Sequence, residues 1–238
     1  MGALRAPLRT VGLIGGMSWE SSAVYYRILN EEARARLGGA HSCPLVLHSL
    51  DFAEVEALQH QGRWDELGEL MAQAARGLAA AGAQGLGILT NTMHRFADEV
   101  QAASGLPLVH IADATGAAIR AAGLRRIGLL GTRFTMEQDF YKGRLARSHG
   151  LDVLIPGEED RAEVHRVIYE ELVQGRVRES SRRAYQGVMA RLADAGAEGV
   201  VLGCTEISLL VGPQDSPVPL FDTTRLHALA LLDFCLGG

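Results

Sequence analysis

Two blocks of the sequence occur twice, in the same order and at nearly the same spacing. The stretch RTVGLIGGMSWESSAVYY resembles RRIGLLGTRFTMEQDFY, and the equivalent glycines, Gly12 and Gly128, lie 116 residues apart. The stretch AAGAQGLGILTNT resembles DAGAEGVVLGCTE, which aligns Thr90 with Cys204 at a distance of 114 residues. Two matching blocks at nearly one offset indicate an internal duplication. The chain is therefore predicted to contain two related halves.

Each half contains short apolar runs separated by longer segments with helical periodicity, which is typical of α/β proteins with right-handed crossovers. Most of the runs are continuously apolar, as in strands of a parallel sheet that is covered on both faces. The predicted strands are residues 10–15, 44–50, 86–89, 107–111, 126–131, 151–155, 199–203 and 217–221. Residues 64–82 are predicted to form a helix that ends at Gly82, a plausible C-cap.

The predicted fold is α/β, with two similar domains that each hold a four-stranded parallel sheet. We expect a pseudo-twofold axis to relate the domains. The first domain is predicted to comprise residues 1–114 with 213–238, and the second residues 115–212, because the last helix (223–235) is expected to return to the first half.

Composition excludes several classes of function. A net charge of −5 gives no basic surface for nucleic acid, and no apolar run approaches the roughly 20 residues of a membrane span. The N-terminus lacks the apolar region of a signal peptide. Three cysteines without a CxxC spacing argue against a disulfide framework, and the eight histidines show no metal-ligand spacing. The sequence thus predicts a cytoplasmic protein without a metal, a nucleic-acid partner or a membrane partner.

The duplicated polar segments suggest the chemistry. Ligands of parallel sheets bind beyond the carboxyl ends of the strands, and two such ends carry the first corner (residues 90–92) and the second corner (residues 204–206). If the halves face each other, Thr90 and Cys204 would approach one carbon from opposite sides. One group could then remove a proton and the other return one, which inverts the carbon. The reference thiol pKa of about 8.5 could be lowered at a helix N-terminus.

Simpler interpretations exist for the same residues. Thr90 and Asn91 are ordinary N-cap residues, and an isolated cysteine such as Cys204 is more often buried than reactive. Glu206 could orient Cys204 or cap the helix that follows. His94 could tune the site, or it could be a surface or hydrogen-bonded histidine.

Long blocks of the chain resemble the aspartate/glutamate racemase family, in its amino-acid racemase branch. These blocks are GLIGGMSWESSAVYYRILN, HSLDFAEVEALQ, LTNTMHRFAD, IGLLGTRFTMEQDFYKGRL, VHRVIYEELVQG, VLGCTEISLLV and the closing FDTT. The resemblance covers essentially the whole chain. It implies a cofactor-independent enzyme built of two similar α/β domains, with the active site between them, that commonly forms a homodimer.

The resemblance also assigns individual residues. It puts the two proton-transfer groups at Thr90 and Cys204. It places around the substrate Met17, Gln59, Asn91, Thr92, Thr132 and Thr205.

The chain departs from the family pattern in two places. Most relatives carry cysteine at both proton-transfer positions, whereas this chain has Thr90, whose hydroxyl donates a proton far more easily than it removes one. Some relatives that act on acidic substrates carry arginine where Gln59 stands, and a basic residue near Glu163. Glutamine lacks the bidentate charge pairing of arginine, which leaves room for uncharged substrates.

The sequence therefore predicts a racemase that does not use pyridoxal phosphate, acts on aspartate, glutamate or a related small amino acid, and has unequal rates in the two directions. Two alternatives remain open. One is a decarboxylase or cis–trans isomerase of the same superfamily that relies on a single cysteine. The other is a non-catalytic protein that binds an amino acid.

Overall fold

The structure is a computed structural model that describes residues 7–238, which group into two compact units. Among the described residues, the first unit comprises those up to Leu89, Phe96–His110 and His227–Gly238. The second unit comprises Thr90–Arg95 and Ile111–Leu226. The domain limits expected from the sequence stay a prediction, as does the pseudo-twofold relation. Residues 1–6, on which the expected absence of a signal peptide partly rests, lie outside the described residues.

The first unit holds strands β1–β3 and helices α1–α4. Their bounds are β1 Val11–Gly15, α1 Trp19–Leu37, β2 Leu45–Ser49, α2 Phe52–His60, α3 Trp64–Ala80, β3 Gly85–Ile88 and α4 Ala97–Ser104. The three strands are parallel in the order β2-β1-β3. The helix predicted over residues 64–82 is confirmed as α3, and Gly82 follows its end with φ of 90°.

The second unit holds β4–β7, α5–α10 and the start of α11. Their bounds are α5 Ile111–Ala121, β4 Arg126–Gly131, α6 Arg133–Glu137, α7 Asp139–His149, β5 Asp152–Leu154, α8 Glu158–Glu170, α9 Glu179–Asp194, β6 Gly199–Gly203, α10 Ile207–Leu210, β7 Leu220–Asp222 and α11 Thr223–Leu236. The strands are parallel in the order β5-β4-β6-β7. Short 3-10 helices lie at Thr92–Phe96, Leu172–Gln174 and Pro213–Asp215.

The predicted α/β class with two parallel sheets is confirmed, and so are the four strands of the second sheet. The first sheet was predicted to have four strands, and this prediction is wrong, since the sheet has three. Residues 107–111 add only an isolated parallel bridge between Leu86 and Leu108. Pro107 has no N–H to donate to a ladder, and α5 begins at Ile111, so the segment ends before it can extend as a strand.

The central strands are buried along their whole length, apart from the exposed Arg126 at the start of β4, as their continuous apolar character predicts. Every residue of β1 and β6 is buried. In the first unit, β3 carries glycine at alternate positions beneath α11. A Cβ at Gly87 would lie 2.8 Å from Leu231, and one at Gly85 would lie 2.4 Å from Phe234. The glycines therefore allow the C-terminal helix to pack directly on this strand.

Among residues 7–238, no helix combines the length and the apolar character needed to cross a bilayer.

Candidate active site

The first corner joins the carboxyl end of β4 through a cluster of threonine hydroxyls. The Thr92 Oγ1 atom lies 3.0 Å from Thr132 Oγ1 and 3.3 Å from Thr135 Oγ1, and the latter two are 3.3 Å apart. All three side chains are buried. Thr132 directly follows β4 and accepts the Thr135 backbone N–H at the start of α6. These hydrogen bonds fix residues 90–92 within the second unit.

A second connection runs from the first corner to β6. The Asn91 amide nitrogen donates to Thr223 Oγ1 at 3.1 Å, and the Thr223 hydroxyl donates to the Leu202 carbonyl at 2.8 Å. Asn91 is 2% exposed, and its Oδ1 atom has no hydrogen-bond partner among the described residues. Buried polar atoms rarely stay unpaired, so this oxygen marks Asn91 as a functional candidate.

His94 holds the backbone of the first corner. Its Nδ1 lies 2.8 Å from the Thr90 carbonyl, which can only accept, and its Nε2 accepts the Ile111 N–H at 3.1 Å. These partners require a neutral ring that carries its proton on Nδ1. His94 is buried and hydrogen-bonded, which excludes the surface interpretation of this residue. Neither Thr90 nor Asn91 caps α4, whose N-cap residue is Phe96.

The second corner is organised around the Glu206 carboxylate. The Cys204 thiol donates to Glu206 Oε2 at 3.0 Å, and the Thr205 hydroxyl donates to the same oxygen at 2.8 Å. Glu206 makes no side-chain cap of α10. Of the two roles that the sequence allowed for Glu206, the structure therefore supports orientation of Cys204.

The pKa of the Cys204 thiol lies well above its usual value. Burial is the largest cause, and the charge of Glu206 and its hydrogen bond to the thiol add to it. Backbone N–H groups of Thr205 and Glu206 act in the opposite direction but more weakly. The expected lowering of this pKa at a helix N-terminus is therefore wrong, because burial and the adjacent Glu206 carboxylate together outweigh the backbone N–H groups at the start of α10. The resting group is a neutral thiol.

Charged side chains of α8 form a network in the same unit. Arg166 lies 2.8 Å from Glu163 and 3.1 Å from Glu171, and its guanidinium lowers the pKa of Glu163 through their hydrogen bond. Arg161 is paired with Glu137 at 2.9 Å. Both arginines near Glu163 already have carboxylate partners, so a substrate carboxylate would have to compete for them.

Two of the predicted substrate-binding residues belong to the first unit. Met17 is buried in the loop between β1 and α1, where Gly16 has φ of 84°. A Cβ at Gly16 would lie 2.2 Å from the Leu50 carbonyl oxygen, so only glycine fits there. Gln59 is buried near the end of α2.

The structure thus brings six of the eight predicted residues into the second unit. They are Thr90, Asn91, Thr92, Thr132, Cys204 and Thr205. Sequence reasoning missed Thr135 and Thr223, although a pair of threonines one residue after the predicted strand 217–221 was a usable signal for Thr223. Thr90 and Cys204 are both partly exposed, and each is flanked by buried polar groups.

The chemistry available is proton transfer and hydrogen bonding. Cys204 has a carboxylate that can take its proton, whereas no carboxylate within the described residues hydrogen-bonds to the Thr90 hydroxyl. In the part of the chain from residue 7 onward, no three His, Cys, Asp or Glu side chains cluster as the ligands of a metal ion would.

Comparisons with known proteins give a family and a set of similar structures. The family model for Asp/Glu/Hydantoin racemase matches residues 14–231. A Yersinia pestis protein described as a candidate Asp/Glu racemase is 52% identical, with 96% of this chain and 100% of that chain covered and a TM-score of 0.90. An aspartate racemase homologue from Pyrococcus horikoshii is 32% identical over 96% and 99% of the two chains, with a TM-score of 0.81.

A more distant likeness is to a variant of arylmalonate decarboxylase. The two are 18% identical over 96% of this chain and 94% of that chain, with a TM-score of 0.52. At this identity the likeness shows only a shared fold.

Proposed function

The chain belongs to the Asp/Glu/Hydantoin racemase family, and we propose on this premise that it interconverts the L and D enantiomers of an amino acid. The reaction is a proton transfer at Cα that needs no cofactor. The observation that carries the proposal is the hydrogen bond from the Cys204 thiol to the Glu206 carboxylate at 3.0 Å. Through this hydrogen bond Glu206 can take the thiol proton, so that Cys204 can act as the base on one face of the substrate carbon.

Cys204 is proposed to remove the α-proton of one enantiomer. Because the resting thiol is neutral, its own proton must leave first, and Glu206 Oε2 is the acceptor already in contact with it. The thiolate then takes the α-proton, and the negative charge that develops on the substrate is stabilised by hydrogen-bond donors of the two corners. We assign this stabilising role to the Thr92 and Thr132 hydroxyls and to backbone N–H groups.

Thr90 is proposed to return a proton on the opposite face. Its hydroxyl donates to Cα and is reprotonated by water, which also takes the proton held by Glu206, so that the resting state is restored. No carboxylate among the described residues hydrogen-bonds to the Thr90 hydroxyl to take its proton for the reverse reaction. The kcat values for the two enantiomers should therefore differ. Since the equilibrium ratio of enantiomers is one, the KM values must differ by the same factor. Comparable kcat values in both directions would contradict this assignment.

The proposed substrates are aspartate, glutamate and small uncharged amino acids. Gln59 offers hydrogen bonds without charge, and Arg161 and Arg166 are occupied by Glu137 and Glu163. An acidic side chain thus gains no unpaired arginine from α8. This arrangement favours tolerance of the substrate side chain over strict selection of a carboxylate.

The proposal is tested by incubating the protein with single enantiomers of a panel of amino acids in deuterium oxide. Inversion is followed by chiral chromatography and α-deuteration by mass spectrometry. We expect both in the wild type and neither in Cys204→Ala. The matched control is Cys43→Ala, which removes a buried thiol of the first unit and should leave both rates unchanged.

Four other outcomes would reject the proposal. Loss of CO2 from a disubstituted malonate without any inversion would identify a decarboxylase, and conversion of a cis dicarboxylate to the trans form would identify an isomerase. Binding of amino acids without α-deuteration would identify a non-catalytic protein. Activity that disappears after hydroxylamine treatment would indicate a pyridoxal cofactor.

A homodimer is also proposed, formed through the exposed face of α1. Trp19 is 67% exposed and Tyr26 is 55% exposed, and their spacing of seven residues puts them on one face. In an antiparallel pairing of two α1 helices, Trp19 would lie opposite Arg34 of a second copy and Tyr26 opposite its Arg27. Each arginine could then form a cation–π contact with the ring it faces. The two arginines line a groove of about 600 Å³ beside this face.

Sedimentation velocity tests the dimer. The double variant Trp19→Ser, Tyr26→Ser should sediment as a monomer, whereas Leu209→Ser, which changes an exposed apolar residue of the second unit, should not alter the mass of the wild-type species. A monomeric wild type at micromolar concentration would reject the dimer and leave the proposed reaction untouched.

A further inference from the structure

The position of Thr223 between the two corners carries an inference that rests on the proposed function. Thr223 is the first residue of α11 and is completely buried. On one side its hydroxyl meets Asn91, the neighbour of Thr90. On the other side it meets Leu202, which lies two residues before Cys204.

The protons at Thr223 can be assigned without ambiguity. A hydroxyl carries one hydrogen, and the Leu202 carbonyl at 2.8 Å can only accept it. The Thr223 oxygen must therefore accept from its other neighbour at 3.1 Å, so Asn91 has to present its NH2 group there. The reverse orientation of the amide would place two acceptors against each other.

This orientation leaves one polar atom of the Asn91 side chain without a hydrogen bond among the described residues. Its Oδ1 atom is buried and has no partner among the described residues, although the amide is fixed in one direction. A side chain that served only to fill the core would be expected to satisfy this oxygen. The arrangement is better explained by the need to hold the segment that follows β3 at a fixed distance from β6.

We propose that Thr223 is a positioning residue that sets the separation of Thr90 and Cys204. Its hydroxyl links the backbone of β6 to the side chain next to Thr90, and both links lie within the second unit. Inversion requires both proton-transfer groups at once, whereas α-deuteration by Cys204 requires only one of them. Loss of the link should therefore reduce inversion more than deuteration.

The experiment compares Thr223→Val, which keeps the shape and removes the hydroxyl, with Thr223→Ser, which keeps the hydroxyl. For the enantiomer that Cys204 deprotonates, we expect Thr223→Val to lower the rate of inversion by about 10- to 100-fold, as small misplacements of reacting groups do. The rate of α-deuteration and the KM should change by less than about threefold. Thr223→Ser should restore inversion to within about threefold of the wild type.

A double-mutant cycle with Asn91→Ala tests whether the effect passes through Asn91. If it does, the double variant loses no more inversion than Asn91→Ala alone. Additive losses would overturn the proposal, and so would a parallel fall of inversion and deuteration in Thr223→Val. If Thr223→Val does not fold, Thr223→Ala replaces it, and this variant must lower inversion more than deuteration; an equal fall of both would reject the link.

A readout independent of activity separates this inference from the proposed function. The NMR signals of the Asn91 side-chain amide should exchange slowly with solvent in the wild type and in Thr223→Ser. If the wild type inverts no amino acid, the proposed function fails, and slow exchange of this amide would still support the link. Fast exchange in an active wild-type protein would overturn the link alone.

Discussion

The two corners share one repeated sequence pattern, yet they are held in different ways. At the first corner, His94 binds the backbone carbonyl of Thr90 and leaves the hydroxyl unpaired with any acid among the described residues. At the second corner, Glu206 binds the side chain of Cys204 itself, with its carboxylate 3.0 Å from the sulfur. At the first corner the contact thus fixes only the position of Thr90. At the second corner the contact also affects the protonation of the Cys204 thiol.

The difference has a chemical consequence. A hydroxyl without a basic partner can donate a proton but cannot easily remove one, whereas a thiol next to a carboxylate can pass its proton on and then act as a base. The asymmetry between the corners is therefore expected to appear as an asymmetry between the two directions of the reaction.

The largest effect is expected when the first corner loses its hydroxyl. Thr90→Val should lower inversion in both directions by at least about 100-fold, because inversion needs a proton donor on the second face. Deuteration of the enantiomer that faces Cys204 should persist. The measurement is the ratio of inversion to α-deuteration, with Thr90→Ser as the variant that keeps the hydroxyl. Loss of deuteration together with inversion would show that Thr90 does more than donate a proton.

Making the corners chemically alike should reduce the asymmetry. Thr90→Cys places a thiol at both corners and should raise kcat in the slower direction by roughly tenfold, since a thiol ionises far more easily than a hydroxyl. Steady-state rates from each pure enantiomer give the ratio of the two kcat values. An unchanged ratio would mean that the surroundings of the first corner, rather than its hydroxyl, limit that direction.

Removing the charge of the second corner should make Cys204 more acidic. The Glu206 carboxylate raises the thiol pKa, so Glu206→Gln should lower it. The pH profile of iodoacetamide labelling at Cys204, followed by mass spectrometry, should then shift to lower pH. Glu170→Gln is the control, because this mostly exposed carboxylate makes no hydrogen bond to Cys204. A profile that moves to higher pH would contradict the assigned cause.

The smallest effect concerns how the first corner is held. His94→Leu leaves the Thr90 carbonyl and the Ile111 N–H without their partner, which should lower the free energy of unfolding by about 1–3 kcal/mol. Urea unfolding measures this loss. His41→Leu, a change at an exposed histidine, should cost far less. Equal losses in the two variants would show that His94 does not hold the corner.

Much of the site could be predicted because repeats and strand ends are local signals. The alignment of Thr90 with Cys204 and the polar residues beside them follow from the sequence alone, and all of them prove to follow parallel strands. The sequence predicted one strand too many in the first sheet, because the composition of an apolar run such as residues 107–111 does not show how many hydrogen bonds it will make to a neighbouring strand. Pro107, which has no N–H to donate, was the residue that argued against a full strand.

The sequence by itself determined the α/β class, the duplication and the two corners, since apolar periodicity and repeated blocks depend on neighbours along the chain. Only the tertiary structure decided that the Cys204 thiol rests neutral, that His94 carries its proton on Nδ1, and that Thr223 joins Asn91 to Leu202. Burial and hydrogen bonding fix protonation and tautomer, and for these side chains both depend on where the folded chain places their surroundings.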